Sequence, residues 1–189
     1  MKKIFPFLFP VGFWAFLAGL QIRAALEPFN LVPILLALES GLVAYALLTR
    51  REEKRTAPRS RKWLAWLSVG LPLTLEIGPT SIFSQTVALT GLGLTLWGLV
   101  TLGKSFGIAP ADRGLVAVGP YRFIRHPMYA GAMLMATSAL FQQATWWNLG
   151  IFGLLAASAV VRIVWEEQIL RDYSFYAQIV RWRLIPGVW

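Results

Sequence analysis

The sequence predicts an all-α, polytopic membrane protein of about five to six transmembrane helices, with a C-terminal helical hairpin and an amphipathic tail. Three observations predict it. The 189 residues are 57% hydrophobic with a mean hydropathy of +0.58, and only 14% are charged, against about 25% in an ordinary soluble domain. The apolar residues fall in long uncharged runs near the ~20 residues that a helix needs to cross a ~30 Å hydrocarbon core. The connections between those runs alternate between strongly basic and nearly neutral, as loops on opposite sides of a membrane do. The length suits a single integral membrane domain over residues 1–189.

The first run, Ile4 to Leu20, follows Met1-Lys2-Lys3. It exceeds the ~7–15 residues of a signal-peptide core and lacks a small-residue cleavage site, so it reads as a first span, with Pro6 and Pro10 disturbing its early turns. A short connection, Gln21 to Pro28, carries Arg23 and Glu27. Phe29 to Thr49 is the second span, holding Pro33 and Glu39. Arg50 to Lys62 is a basic loop with Pro58 inside. Trp63 and Trp66 open a third span, as interfacial aromatics do, which reaches about Ile77 with Pro72 in its path. The fourth span is Gln85 to Gly103, where Gly91, Gly93 and Gly98 permit close helix approach; no strand precedes them, so they do not form a phosphate-binding loop. Lys104 to Arg125 is the longest polar connection.

From Pro127 to Trp165 the chain is apolar again. A single helix of nearly 40 residues would be about 58 Å long, far more than the bilayer core. This stretch therefore folds back as a hairpin, turning at the polar, aromatic sequence Gln142 to Asn148 with Trp146 and Trp147 at the far interface. Gly150, Gly153 and Ala157 offer the second arm a small-residue face, for packing within one chain or between chains. Arg162 to Trp189 is the amphipathic tail.

The charges test this topology. With the N-terminus inside, all of the eighteen basic residues except Arg23 fall on one side, which gives six crossings with both termini cytoplasmic in an inner membrane. The net charge of +9 is then explained by loop orientation, and no nucleic-acid partner is called for. With no cysteine and one histidine, disulfide and thiolate chemistry are excluded, and the three or four N or S ligands of a zinc site are not available.

Two polar constellations remain on that side. Gly119-Pro-Tyr121-Arg-Phe-Ile-Arg125-His126-Pro127-Met128-Tyr129-Ala-Gly131 contains the only histidine and ends in a helix start. Pro127 suits the first helical turn, where unsatisfied N–H groups favour polar ligands. The plainer alternative makes Arg122, Arg125 and His126 headgroup anchors and the tyrosines an interfacial belt. The second constellation is Arg162, Glu166 and Glu167. Arg162 and Glu166 stand at i, i+4 and are expected to pair, and paired carboxylates at a membrane helix end call for a cation.

At these residues the chain resembles the isoprenylcysteine carboxyl methyltransferase family, relatives of the phospholipid N-methyltransferases. The resemblance covers roughly Gly103 to Pro186. It rests on Gly114-Leu-Val, Gly119-Pro-Tyr121-Arg, Arg125-His-Pro-x-Tyr129-x-Gly131, Arg162, Glu166-Glu167-x-x-Leu170, Tyr176 and Arg183-Leu-Ile-Pro186. The family's usual Phe-Gly after the glutamates is Tyr173-Ser174 here, and the following tail is shortened. Residues 1–62 lie outside the methyltransferase core of 63–189. The resemblance implies S-adenosylmethionine as methyl donor, lined by Arg113, Gly114, Leu115, Val116, Tyr121, His126, Pro127, Met128, Tyr129, Glu166 and Glu167. It also implies that Arg162 faces the acceptor as the catalytic residue and that no metal takes part. The glutamates would take the donor's ammonium, and the helix-start N–H groups with His126 its carboxylate or ribose.

The expected activity is methyl transfer to a lipophilic acceptor drawn from the bilayer, foremost an isoprenylcysteine-like carboxylate, with a phospholipid amine or a thiol as alternatives. A membrane sterol or enone reductase also uses Arg, His, Pro and Tyr near a C-terminal helix, but the 104–125 loop gives little room for NADPH. A scaffold without turnover is the third reading. The sequence leaves the oligomeric state open.

Overall fold

Helix boundaries follow the punctuation residues. In the computed structural model, which describes residues 5–26, 31–171 and 173–189, the helices are α1 (Phe5–Leu26), α2 (Leu31–Thr49), α3 (Arg59–Gly70), α4 (Ile82–Leu102), α5 (Pro127–Gln142), α6 (Trp146–Ile169) and α7 (Tyr173–Ile179). Ser81 and Ser84 form a reciprocal capping box that starts α4, and Gly103, at φ +48°, ends it. Thr145 caps α6 by accepting from the Asn148 amide at 3.1 Å. The first helix runs on to Leu26, six residues past its expected end at Leu20, so the Gln21–Leu26 part of the expected connection is helical, while Lys2, Lys3, Glu27 and Pro28 lie outside the described residues.

Four helices, α1, α2, α4 and α6, are long and apolar enough to cross a membrane. The other two expected crossings contain shorter helices, which run alongside α6. α5 has 16 residues, about 24 Å, and is antiparallel to α6. Its start meets the end of α6, with His126 Nε2 3.4 Å from Glu167 Oε1. At its far end Asn148 Nδ2 donates to the Gln143 carbonyl at 2.8 Å. The hairpin therefore turns at 143–145, with Trp146 and Trp147 exposed beyond it.

The third crossing departs from the sequence expectation of one helix to Ile77. α3 stops at Gly70 and gives way to a 3-10 turn, Leu71–Thr74, that contains Pro72. The segment still follows α6 along its length. Arg61 reaches Gln168 at 3.4 Å, Ser68 meets Arg162 at 2.9 Å and Trp147 Nε1 donates to the Thr74 carbonyl at 2.8 Å. Backbone that leaves the helix inside a bilayer needs other partners. Asn148, fully buried, supplies them by accepting from the Glu76 amide and donating to the Glu76 carbonyl.

The α4–α5 pair approaches closely through glycines. A Cβ at Gly91 would lie 2.6 Å from the Gly131 carbonyl oxygen, and one at Gly98 2.8 Å from Met128 Cγ. This contact brings the start of α5 against α4 and fixes its depth. Gly150 and Gly153 differ from expectation: among the described residues nothing stands within 4 Å of a Cβ at either, and Ala157 is exposed, so this face of α6 makes no tight contact with them. α1 and α2 pair antiparallel, with the Ser40 hydroxyl donating to Gln21 at 2.9 Å. Val43, Leu47, Ala65, Leu99, Phe106 and Ile108 form the main buried cluster.

The two basic connections are tied together on one face. A two-residue strand β1 (Arg55–Thr56) pairs antiparallel with β2 (Ala111–Asp112), and the Arg51 amide donates to the Lys104 carbonyl at 2.8 Å. The tail begins later than expected, because α6 runs unbroken from Trp146 past Arg162 and both glutamates to Ile169. α7 follows, and residues 180–189 fold back under the start of α5.

Candidate active site

The site is assembled where α5 begins and α6 ends. His126 is the N-cap of α5 and its side chain makes no capping bond. Its imidazole, 7% exposed, is directed at the glutamate pair: Nε2 is 3.4 Å from Glu167 Oε1 and Nδ1 3.8 Å from Glu166 Oε2. Pro127 has no N–H to lose, and the amides of Met128 and Tyr129 have no backbone acceptor among the described residues. They are the free donors that a helix start offers an anion.

The two adjacent glutamates have different surroundings. Glu167 is saturated. Arg183 Nε and Nη2 grip its two oxygens at 2.8 and 2.9 Å, Tyr173 donates at 2.7 Å, and Arg125 Nη1 is 3.5 Å away. Glu166 accepts from Tyr129 Oη at 2.5 Å and keeps 24% of its side chain exposed. Glu166 is thus the carboxylate with capacity left for a ligand, and Glu167 is the counterion that organises the surrounding cations.

Arg162 does not pair with Glu166 as the i, i+4 spacing suggested. Its Nη1 donates to Ser68 Oγ at 2.9 Å and its Nη2 to the Ile108 carbonyl at 2.8 Å. The guanidinium stacks 5.1 Å above the Tyr129 ring, a favourable cation–π arrangement. Its Nε is buried without a partner. Tyr129 thereby touches an arginine with its face and a glutamate with its hydroxyl.

The tail completes the arrangement. Arg125 Nε donates to the Val180 carbonyl at 2.6 Å and its Nη2 to Ala177 and Arg181, each at 3.0 Å, so it satisfies the last carbonyls of α7. The Arg125 and His126 amides donate to the Trp182 and Arg183 carbonyls. Tyr176 Oη donates to the Tyr121 carbonyl at 2.5 Å. Burial pushes the Tyr176 phenol up to about 12. Burial and the bond to Glu167 raise Tyr173 far above the usual phenol range, with Arg125 only partly offsetting this. Both are fixed donors at neutral pH. The bond to Glu167 raises Arg183 as well.

The structure thus brings together His126, Pro127, Met128, Tyr129, Arg162, Glu166 and Glu167, with Tyr121 buried beside them. It takes Arg113 elsewhere. The Arg113 guanidinium is 2.5 Å from Glu53 and packs against Gly107, anchoring the 50–56 loop. Gly114 adopts φ +101°, which favours glycine, while Leu115 is exposed; none of 113–116 touches the glutamates. Tyr173, Arg125 and Arg183 were not among the expected ligands. The signal for Tyr173 was present as a hydroxyl standing where the resembling family has phenylalanine.

A depression of about 500 Å³ flanks the cluster on the Glu167 side, between Val164, Leu170, Tyr173 and Arg183. It falls in the ~300–1,000 Å³ range of small-molecule sites. Glu166 lies on the opposite flank, toward α5, and His126 stands between the two.

Residues 79–176 match the family model of phospholipid methyltransferases, a little over half of the chain. The chain belongs to that family. The family shares its superfamily of integral membrane methyltransferases with the isoprenylcysteine carboxyl methyltransferases, which accounts for the sequence resemblance. No curated protein matches the chain. The matched stretch covers α4 through most of α7. It includes His126, Tyr129, Arg162, Glu166, Glu167 and Tyr173 and leaves out Arg183. This membrane methyltransferase therefore builds one wall of its polar cluster from a residue beyond the matched region.

Proposed function

We propose that the protein transfers a methyl group from S-adenosylmethionine to the carboxylate of a lipophilic acceptor, at the face where α5 begins and α6 ends. One observation carries this reading: Tyr129 joins Glu166, a carboxylate suited to an ammonium, to Arg162, a cation suited to a carboxylate. Donor and acceptor charges would meet on the two sides of one phenol. The site is proposed to face the cytoplasm, since the basic connections lie on this side.

The residues present fit the donor. Glu166 has one hydrogen-bond partner and exposed surface, and would hold the ammonium. The unpaired Met128 and Tyr129 amides would hold the donor carboxylate, with His126, Pro127 and Tyr121 walling the same end. When bound, the donor supplies an electrophilic methyl on a sulfonium. The chain's own contribution is alignment and exclusion of water. Arg162, clamped by Ser68 and Ile108, would orient the acceptor through its unpartnered Nε. A carboxylate acceptor is already anionic, so no general base is required. Glu167 holds His126 and Arg183 in register without touching either substrate.

A second reading, transfer to a phospholipid amine, is favoured by the description of the matched family. An amine must lose a proton, and His126, held against Glu167, is the group to accept it. Purified protein supplied with labelled donor and a panel of prenyl-thioether carboxylates, fatty carboxylates and phosphatidylethanolamine separates the two. Label in base-labile esters supports the first reading, and label only in the phospholipid amine replaces it with the second. Tight NADPH binding without adenosyl-ligand binding overturns both.

A further inference from the structure

The short helix α7 and the segment after it carry an apolar face that none of the described residues covers. At about 100° per residue, α7 divides into three sectors. Tyr173, Tyr176 and Val180 are buried together against the chain. Ser174 and Gln178 form an exposed polar strip, and Ser174 lines the depression beside Glu167. Phe175 and Ile179, one turn apart, fill the third sector and are 68% and 67% exposed. A surface helix in water keeps the side away from its packed face polar. Here much of that side is apolar.

The segment after α7 extends this surface. The amides of Arg183, Leu184 and Ile185 converge on the Trp189 carbonyl at 2.8, 3.0 and 3.3 Å, closing residues 183–189 into a loop on which Ile185 and Val188 are exposed. Phe123, just after the 3-10 turn at 119–122, is exposed as well, and Arg122 lies over its ring at 4.7 Å. Arg122 and Arg181 are exposed, with no acidic partner among the described residues.

Depth decides what covers this face. The Arg125 and His126 amides, directly before α5, donate to the Trp182 and Arg183 carbonyls at 2.8 and 3.0 Å. The Arg125 side chain reaches the carbonyls of Ala177, Val180 and Arg181. The end of α7 and the loop after it are therefore held at the start of α5, beside the end of the membrane-length helix α6, which is the headgroup level. Aromatic and aliphatic side chains interleaved with arginines suit that layer.

We propose that α7 and residues 180–189 form an interfacial anchor seated on the phospholipid leaflet of the basic side. Phe175, Ile179 and Val188 enter the headgroup layer, and Arg122 and Arg181 meet lipid phosphates. Tyr173 and Arg183, which hold Glu167, stand on this same anchor, so lipid contact fixes one wall of the polar cluster. Nothing in this depends on which reaction the cluster performs.

The chain has no cysteine, so single introduced cysteines can be spin-labelled without background. Phe175→Cys, Ile179→Cys and Val188→Cys, all at exposed positions, are labelled with a nitroxide and reconstituted in nanodiscs of phosphatidylcholine and phosphatidylglycerol. Power saturation against oxygen and a water-soluble nickel chelate then reads the depth of each label. Labels at 175 and 179 are expected about 5–10 Å below the lipid phosphates, with oxygen the stronger relaxer. A label at Lys54→Cys, exposed on the basic connection, should be relaxed mainly by nickel. The label at 188 gives the same reading if a substitution in α7 prevents folding. Nickel access at 175, 179 and 188 equal to that at 54 overturns the proposal. Shielding from both reagents overturns it too, since protein then covers the face, a second copy if dipolar broadening accompanies the shielding.

Discussion

Arg183 grips both carboxylate oxygens of Glu167, at 2.8 and 2.9 Å, and so fastens the end of the chain to the end of α6. The bond satisfies one member of the glutamate pair and leaves Glu166 as the available one. It also holds the segment at Trp182 and Arg183 against the start of α5, where its carbonyls accept the Arg125 and His126 amides.

Removing that grip has a definite cost. Hydrogen bonds to charged groups contribute roughly 1.5–3 kcal/mol, and partial exposure of Arg183 discounts this through solvent screening. Arg183→Ala is expected to cost about 1–2 kcal/mol of stability, read as a lower midpoint of thermal unfolding in detergent. Arg183→Lys keeps the charge, loses the two-pronged geometry and should fall between.

Much of this architecture was legible in the residues. Apolar run lengths and loop charges gave the traverses, and the ~40-residue run from Pro127 forced a hairpin where the structure has one. Gly131 was read only as part of a ligand motif, but a Cβ there would strike Thr95 and the Gly91 carbonyl, so its role is packing against α4. Pro72 announced a disturbance in the third crossing, but not that Asn148, seventy-two residues from Glu76, would satisfy the freed backbone. The Arg113–Glu53 contact, sixty residues apart, has no periodicity to betray it. Adjacent glutamates look alike in sequence; only the returning tail makes them different.

The α4–α5 contact gives a second prediction. Gly131→Ala must push the helices apart or distort Thr95, and overpacking of this kind costs about 1–3 kcal/mol. Because Gly131 lies one turn beyond His126, the variant should lose donor affinity as well as thermal stability. Gly153→Ala, with open space around it, should change neither.

Acid should loosen the loop clasp through Glu53. Burial raises its pKa, but the Thr56 hydrogen bond and the cations Arg113, Lys62 and Arg50 outweigh that and hold it below the ordinary 4.5. A carboxylate with a lowered folded-state pKa contributes stability above its unfolded value and loses it as pH falls through the folded one. Wild type should therefore lose part of its thermal stability below pH 4.5, and Glu53→Gln should show a smaller loss over that window from a lower starting point.

Arg162 separates acceptor from donor. Arg162→Gln removes the cation over Tyr129 and is expected to lower methyl transfer about ten- to a hundredfold, the loss of one charge-assisted hydrogen bond. The affinity for S-adenosylhomocysteine, the spent donor, should stay within about twofold, since nothing in its proposed contacts is removed. Equal losses in both would move Arg162 to the donor side.

The central claim is that the start of α5 and Glu166 form the methyl-donor site, and calorimetric titration of the purified protein with S-adenosylhomocysteine tests it most directly. The wild type should bind, and Glu166→Gln should weaken binding about ten- to a hundredfold while leaving the unfolding midpoint in place. No binding to well-folded wild-type protein, or equal binding by Glu166→Gln, would contradict the account.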